Sequence, residues 1–229
     1  MSKANITVEE RPYHHGDLQR AIIAAALEVL SETQSTEFSL RELARRAGVS
    51  HNAPYKHFAD KHELLAALSA AGFELLAKRI TDATERLSNP RARLAAIARA
   101  YVRHGVENPA LYRLMFGGYL TGADDDRPAI ERAAGNKTRA LVAAAIVDGA
   151  LGTPIPNTPR NERKIAAAIL VFWSQMHGLT LLLVDRLVGP SEKAKELSES
   201  LLQGMLEGLA TRIPALPAGT WVGPPMPEN

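Results

Sequence analysis

SLRELARRAGVSHNAPYKHF, residues Ser39 to Phe58, divides at Gly48 into two stretches with the punctuation of short helices. Ser39 is placed to cap the first of them, and Glu42, three residues on, completes a capping box. Leu40, Leu43, Ala44 and Ala47 recur at helical spacing, which leaves Arg41, Glu42, Arg45 and Arg46 facing outward. Gly48 ends that helix because glycine enters the left-handed conformation most easily, and Val49 can then pack back onto it. Ser50 is placed to cap a second helix. Its early positions carry His51, Asn52 and Ala53, short or hydrogen-bonding side chains that suit base edges, and Tyr55, Lys56 and His57 follow as phosphate-reaching groups. By spacing alone the unit is as consistent with an ordinary helical hairpin, of which any all-helical protein has several.

The residues themselves go further. AGVSHNAPYKHF, continued by ADKHELL, resembles the DNA-binding segment of the TetR/AcrR family of bacterial transcriptional repressors, and the resemblance runs in one register from RPYHHGDLQRAIIAAALEVL through Leu65. It implies phosphate contacts from Ser39, Arg41, Tyr55, His57 and Lys61, and base or groove contacts from His51, Asn52, Ala53 and Lys56. Two positions depart from the family pattern. Asn52 stands where glycine is usual, and Pro54 stands where a branched aliphatic residue is usual. Proline lacks an N–H and crowds the carbonyl four residues back, so the second helix is expected to open with a slightly distorted turn. The HNAPY run nevertheless resembles a sub-pattern of the same family.

Composition sets the frame around this segment. The chain has 229 residues, 46% hydrophobic and 23% charged, enough to bury a sizeable core in one or two domains. No run alternates apolar and polar residues as a half-buried strand does, so the class is all-α. The absence of cysteine excludes disulfides, thiolate metal sites and thiol redox chemistry. MSKANITVEERPYHH lacks the apolar region of a secretory signal, which places the protein in the cytoplasm. A net charge of +2 is no sign of nucleic-acid binding, and residues 1 to 60 hold seven basic and eight acidic groups. Between Arg41 and Lys61, however, five basic groups face two acidic ones, which predicts a small local basic face.

Outward from that face, residues 1–15 read as a flexible arm and 16–62 as a three-helix DNA-binding domain. Residues 63–213 read as a bundle of about six helices for ligand binding and dimerisation, and 214–229 as a disordered, Pro/Gly-rich tail. Asp17 is a cap candidate for a helix that buries Leu18, Ile22, Ala26, Val29 and Leu30. A long helix is expected from Asp60 to Asn89, with Leu64, Leu65, Leu68, Leu75, Leu76, Ile80, Ala83 and Leu87 on one face. A helix carrying Leu94, Ile97, Tyr101, Val102 and Val106 follows, then a short one, ALYRLMF, ending at Gly117-Gly118. YLTGADDDR reads as a solvated loop, residues 128–151 as a helix, and GTPIPNTPRN as a proline-broken linker. IAAAILVFWSQMHGLTLLLV, Ile165 to Val184, has the length of a membrane span, but Ser174, Gln175, His177, Gly178 and Thr180 make a helix buried on two sides the better reading. With the stripe of Leu197, Leu201, Leu202, Met205, Leu206 and Leu209, it predicts homodimerisation through 165–187 and 191–212 and no membrane partner.

No P-loop, nucleophile elbow or HExxH stands anywhere in the chain, so neither a catalytic site nor a metal or cofactor is expected. His14 and His15 lack a partner cluster and read as solvated. WSQMHGLTLLLVDRL also resembles a tryptophan-histidine-glycine signature in the C-terminal domain of one TetR-like subgroup. Tyr101, His104, Tyr112, Phe116, Trp173, Met176 and His177 mix aromatic, soft and polar groups, and are the candidate lining of a small-molecule pocket. The family resemblance then implies a homodimeric repressor released from a palindromic double-stranded operator by a small-molecule effector. Two alternatives stay open: an effector-independent DNA-binding protein with a vestigial pocket, and a helical small-molecule enzyme.

Overall fold

The computed structural model describes residues 15–117, 128–148, 158–188 and 191–211. The N-terminal arm up to residue 14, the YLTGADDDR loop and the 214–229 tail lie outside the described residues, as does most of the GTPIPNTPRN linker. Among the described residues there is no strand. Eight helices follow in order: α1 (His15–Thr33), α2 (Leu40–Arg46), α3 (Lys61–Thr84), α4 (Pro90–Glu107), α5 (Pro109–Phe116), α6 (Ala129–Ile146), α7 (Pro159–Val184) and α8 (Ser191–Thr211). The chain divides into two compact units between Leu64 and Leu65.

In the first unit, α1 starts at His15, two residues ahead of the proposed Asp17 cap. It buries Ile22, Ala26, Val29 and Leu30, while Leu18 is half-buried. The face is the one its helical spacing predicts. α2 packs on α1 through Leu40, Leu43 and Ala44. The Ser39 hydroxyl accepts the Glu42 amide at 3.1 Å, which is the half of the capping box that forms. At the other end Gly48 takes φ +69°. The Val49 amide reaches the Ala44 carbonyl at 2.9 Å and the Gly48 amide the Arg45 carbonyl at 3.3 Å, the paired bonds of a Schellman turn.

The second helix of the hairpin does not form as expected. In place of a helix capped by Ser50 there is a tight turn in which the Ala53 amide bonds the Ser50 carbonyl at 2.9 Å, then a single 3₁₀ turn, Pro54–Lys56. Pro54 has no N–H to offer the Ser50 carbonyl, so an α-turn cannot close there and the carbonyl is taken one residue earlier. The Pro54 carbonyl itself receives both the His57 and the Phe58 amides at 2.9 Å. Ser50 therefore caps nothing, and the distortion spreads over the whole segment rather than its first turn.

Asp60 does cap α3: its Oδ1 accepts the Glu63 amide at 2.9 Å, and the Glu63 carboxylate accepts the Ala59 amide at 2.6 Å. The helix has 24 residues, about 36 Å at a rise of about 1.5 Å each. It stops at Thr84, five residues short of Asn89. The Thr84 hydroxyl turns back on the Ile80 carbonyl at 2.9 Å, and Thr81 does the same to Ala77 at 3.0 Å, a competition that weakens the end of a helix. Leu64, Leu65, Leu68, Leu76 and Ile80 are buried, but Leu75, Ala83 and Leu87 are exposed, contrary to expectation.

In the second unit α4 is the central helix, packed on α5, α6, α7 and α8. Asn89 caps it, its Oδ1 accepting the Ala92 amide at 3.0 Å. Leu94, Ile97, Tyr101 and Val102 are buried as expected, whereas Val106 is exposed. Gly105 allows α4 to meet α7: a Cβ there would lie 2.2 Å from Thr180 Cγ2. α7 starts at Pro159, capped by Thr158, so the last residues of the proposed linker are helical. Its inner face is Ala167, Ala168, Phe172, Met176, Leu179 and Thr180. Ion pairs Arg99–Glu199 (2.7 Å) and Arg113–Asp185 (2.6 Å) tie α4 to α8 and α5 to the end of α7.

Candidate nucleic-acid interface and an aromatic cavity

The hairpin of the first unit presents a polar surface built by its two turns. His51, Asn52, Tyr55 and Lys56 are exposed, as are Arg41 on α2 and Ser39, which caps it. Half of the Tyr55 surface meets solvent, an unusual place for an aromatic ring without a partner surface. The Ser39 oxygen accepts an amide, which leaves its hydroxyl proton to donate outward. Ser50 is exposed too, without the capping role first assigned to it.

Three expected contacts sit differently. Ala53 is 6% exposed, and Pro54 and Phe58 are buried, so less of Ala53 meets solvent than of its neighbours His51 and Asn52. His57 is half-buried. Lys61 lies 5.5 Å from the centre of the Phe38 ring and 3.9 Å from Glu37, which positions its ammonium while partly engaging it. The basic face is also smaller than the count of charges implied. Arg46 pairs with Glu32 at 2.8 Å, and the guanidinium holds the Glu32 carboxyl below its ordinary range.

The second unit brings the proposed pocket residues together from three helices. Tyr101 and His104 come from α4, Tyr112 and Phe116 from α5, and Trp173, Met176 and His177 from α7. The Tyr101 hydroxyl accepts Trp173 Nε1–H at 3.3 Å and the Tyr112 hydroxyl at 3.1 Å. The Tyr112 oxygen is 2.7 Å from His177 Nδ1. A phenol has one proton, and Tyr112 gives its own to Tyr101, so the proton in the last bond sits on Nδ1 and the imidazole donates. Burial raises both phenols, Tyr101 to about 12, and lowers His177, so the chain is neutral at physiological pH.

Around this chain the rings pack edge to face: Tyr101 on Tyr112 at 6.0 Å, and Phe116 on His177 at 5.1 Å. Beside them lies a cavity of about 50 Å³. Of the expected residues, Tyr101, Phe116 and Trp173 line it, and Tyr112, His104, Met176 and His177 do not. Sequence reading missed Phe73, Thr138, Arg139 and Phe172, which also line it. The only advance sign was their placement on apolar helix faces, which many core residues share. His104 is fully buried, with Nε2 3.4 Å from Met115 Sδ and no partner for Nδ1 among the described residues. Burial, and then Arg79, push it down to about 4, so it is a neutral core residue.

A family model described as bacterial regulatory proteins, tetR family, matches residues 22–68, and one described as tetracyclin repressor-like, C-terminal domain, matches residues 94–205. The chain is 30% identical over 111 residues to HTH-type transcriptional repressor Rv3405c of Mycobacterium tuberculosis, covering 48% of this chain and 53% of that one. It spans about half the length of the curated relatives it matches. Among solved structures, a protein of unknown function from Rhodococcus sp. RHA1 superposes with a TM-score of 0.66 at 32% identity, over 85% of this chain and 98% of that one. The regulator FadR from Bacillus subtilis, solved with stearoyl-CoA, superposes with a TM-score of 0.62 at 14% identity, over 84% and 97%; it shares the fold.

Proposed function

This chain belongs to the TetR family of bacterial regulatory proteins, and from that premise we propose that it is a cytoplasmic DNA-binding transcriptional regulator, a homodimeric repressor released from its operator by a small molecule. The observation that carries the proposal is the outward cluster of His51, Asn52, Tyr55 and Lys56, held by a capped α2 and a Schellman turn. Donors at the start of the turn suit base edges, and the phenol, the ammonium and the Ser39 hydroxyl suit phosphates. Ser39, Arg41, Ser50, His51, Asn52, Tyr55, Lys56, His57 and Lys61 are the proposed contact set.

One copy of so small a basic face binds weakly, because phosphate neutralisation supplies most of the affinity. Two copies at about 34 Å, one helical turn of DNA, read a palindrome. Exposed Leu170 and Leu182 on α7 and Leu201 on α8 are the apolar side chains proposed to be covered in that dimer. α7 is also long and apolar enough to cross a membrane by composition alone, but a subunit contact accounts for its outer face equally and fits a DNA-bound dimer. For release, the cavity touches α3 at Phe73 and Leu76, and the first turn of the same helix carries Lys61. A ligand that shifts α3 and so changes the half-site spacing weakens DNA binding by roughly 5- to 150-fold, the usual range of coupling.

The test is to select duplexes from a random pool with the full-length protein and determine the stoichiometry of the complex by sedimentation. Two chains on a palindrome support the proposal. Binding without sequence preference overturns it.

A further inference from the structure

We propose that Glu37 sets the affinity of the hairpin for DNA by holding the Lys61 ammonium in the DNA-free protein, so that binding exchanges a carboxylate for a phosphate; this rests on the reading of the hairpin as a DNA-binding surface. Lys61 opens α3, and its Nζ lies 3.9 Å from the Glu37 carboxylate and 5.5 Å from the centre of the Phe38 ring. Phe38 is 6% exposed, so the ammonium has one packed aromatic neighbour and one solvated anionic one. At 3.9 Å the ion pair is too long for a charge-assisted hydrogen bond, and the Glu37 side chain is 86% exposed, so water screens the attraction. A phosphate oxygen that approaches to about 2.8 Å makes the stronger bond and takes the ammonium over.

The backbone keeps Glu37 in that place. Its amide donates to Ser35 Oγ at 3.0 Å, the Ser35 amide donates to Thr33 Oγ1 at 3.3 Å, and the Phe38 amide donates to the Thr36 carbonyl at 3.0 Å. Short side-chain-to-backbone bonds of this kind fold the connection from α1 to α2 into successive tight turns. Glu37 is therefore two residues from Ser39, one proposed phosphate contact, and in ion-pair range of Lys61, another. Arg46 is paired more closely, with Glu32 at 2.8 Å, but lies outside the proposed contact set. The pair that DNA must break is the one at Lys61, and its cost lowers the affinity of the hairpin.

The experiment is a double-mutant cycle on the full-length protein: Kd for the selected duplex at fixed low salt, for wild type, Glu37→Gln, Lys61→Met and the two combined. Lys61→Met keeps an apolar stem over the Phe38 ring and removes the charge. Glu37→Gln is expected to tighten binding, and by about threefold more with Lys61 intact than in the Lys61→Met background, the size of an exposed ion pair. That excess should fade as salt is raised, because the pair is open to solvent. Glu37→Ala repeats the cycle if Glu37→Gln fails to fold by circular dichroism. Equal tightening in both backgrounds would make Glu37 a plain like charge facing the phosphates, and no tightening in either would mean that the carboxylate does not restrain the ammonium; each result overturns the proposal. Sequence-specific binding by wild type without this coupling removes only the role of Glu37, whereas a wild type with no sequence preference removes the regulator and this role with it.

Discussion

The Tyr112 hydroxyl lies 2.7 Å from Nδ1 of His177, so a side chain of α5 is bonded to one of α7 across 65 residues of sequence. Tyr112 is fully buried, and its hydroxyl also supplies the proton that Tyr101 accepts. Tyr112→Phe removes both bonds and leaves the half-buried imidazole without this acceptor. A loss of about 2 kcal/mol is expected, since unmade buried hydrogen bonds cost about 1–3 kcal/mol. Urea denaturation of the full chain checks it; an unchanged midpoint would show that the chain of bonds contributes nothing to stability.

His104 makes stability depend on pH. Its folded pKa of about 4 lies below the ordinary 6.5, so between those values the unfolded chain binds more protons than the folded one. Its contribution is therefore fully present above pH 6.5, falls as the pH drops through that window, and levels off below about 4. The full span is on the order of 3 kcal/mol. Denaturation midpoints of wild type and His104→Leu, compared at pH 7.5, 6, 5 and 4, should diverge in slope, with the variant losing less on acidification. Parallel curves would refute the burial of a neutral imidazole there.

Gly105 sits where α4 meets α7, and a Cβ there would lie 2.2 Å from Thr180 Cγ2 and 3.0 Å from Tyr112 Cδ2. Helix propensity alone favours alanine over glycine by about 1 kcal/mol. Overpacking of a tight core costs about 1–3 kcal/mol and here should win. Gly105→Ala is expected to lower the melting temperature, whereas a rise would mean that the two helices separate without cost.

What could be read from sequence was what depends on neighbours in the chain. The Ser39 cap, the Gly48 stop and the Asp60 start are each decided by residues within one turn, and each stands where its chemistry put it. The Pro54 segment was half legible. A missing N–H signals a distorted turn, but whether the helix re-forms beyond it depends on who takes the Ser50 carbonyl, and Ala53 takes it. The tyrosine-histidine-tryptophan cluster was legible as residue types and not as an arrangement. Helical period gives the face of each helix, whereas the meeting of Tyr101, Tyr112 and Trp173 depends on how three helices cross. Phe73, Thr138 and Arg139 were missed for that reason. Leu75, Leu87 and Val106 were assigned inward because an apolar residue on the right face carries no mark of where the covering helix ends.

The outer face of α7 tests the dimer. Leu182 is 42% exposed in the single chain, so a charge there is nearly neutral for folding, within about 0.5 kcal/mol for an ordinary surface site. At a subunit contact the same charge is buried without a partner and separates the chains. Leu182→Glu should shift sedimentation from dimer to monomer at micromolar concentration with little change in melting temperature. A wild-type chain that sediments as a monomer, or a variant that stays dimeric, removes this surface from the interface.

The central claim concerns Tyr55 and Lys56, exposed on the turn after Gly48. Its most direct test is a fluorescence-anisotropy titration of the selected duplex with wild type, Tyr55→Ala and Lys56→Ala across a series of salt concentrations. Both variants should keep the wild-type melting temperature and bind more weakly. For Lys56→Ala the salt dependence should lose about one unit of slope, as one phosphate contact requires. Wild-type affinity and slope in both variants would contradict the assignment of this hairpin as the DNA-reading surface.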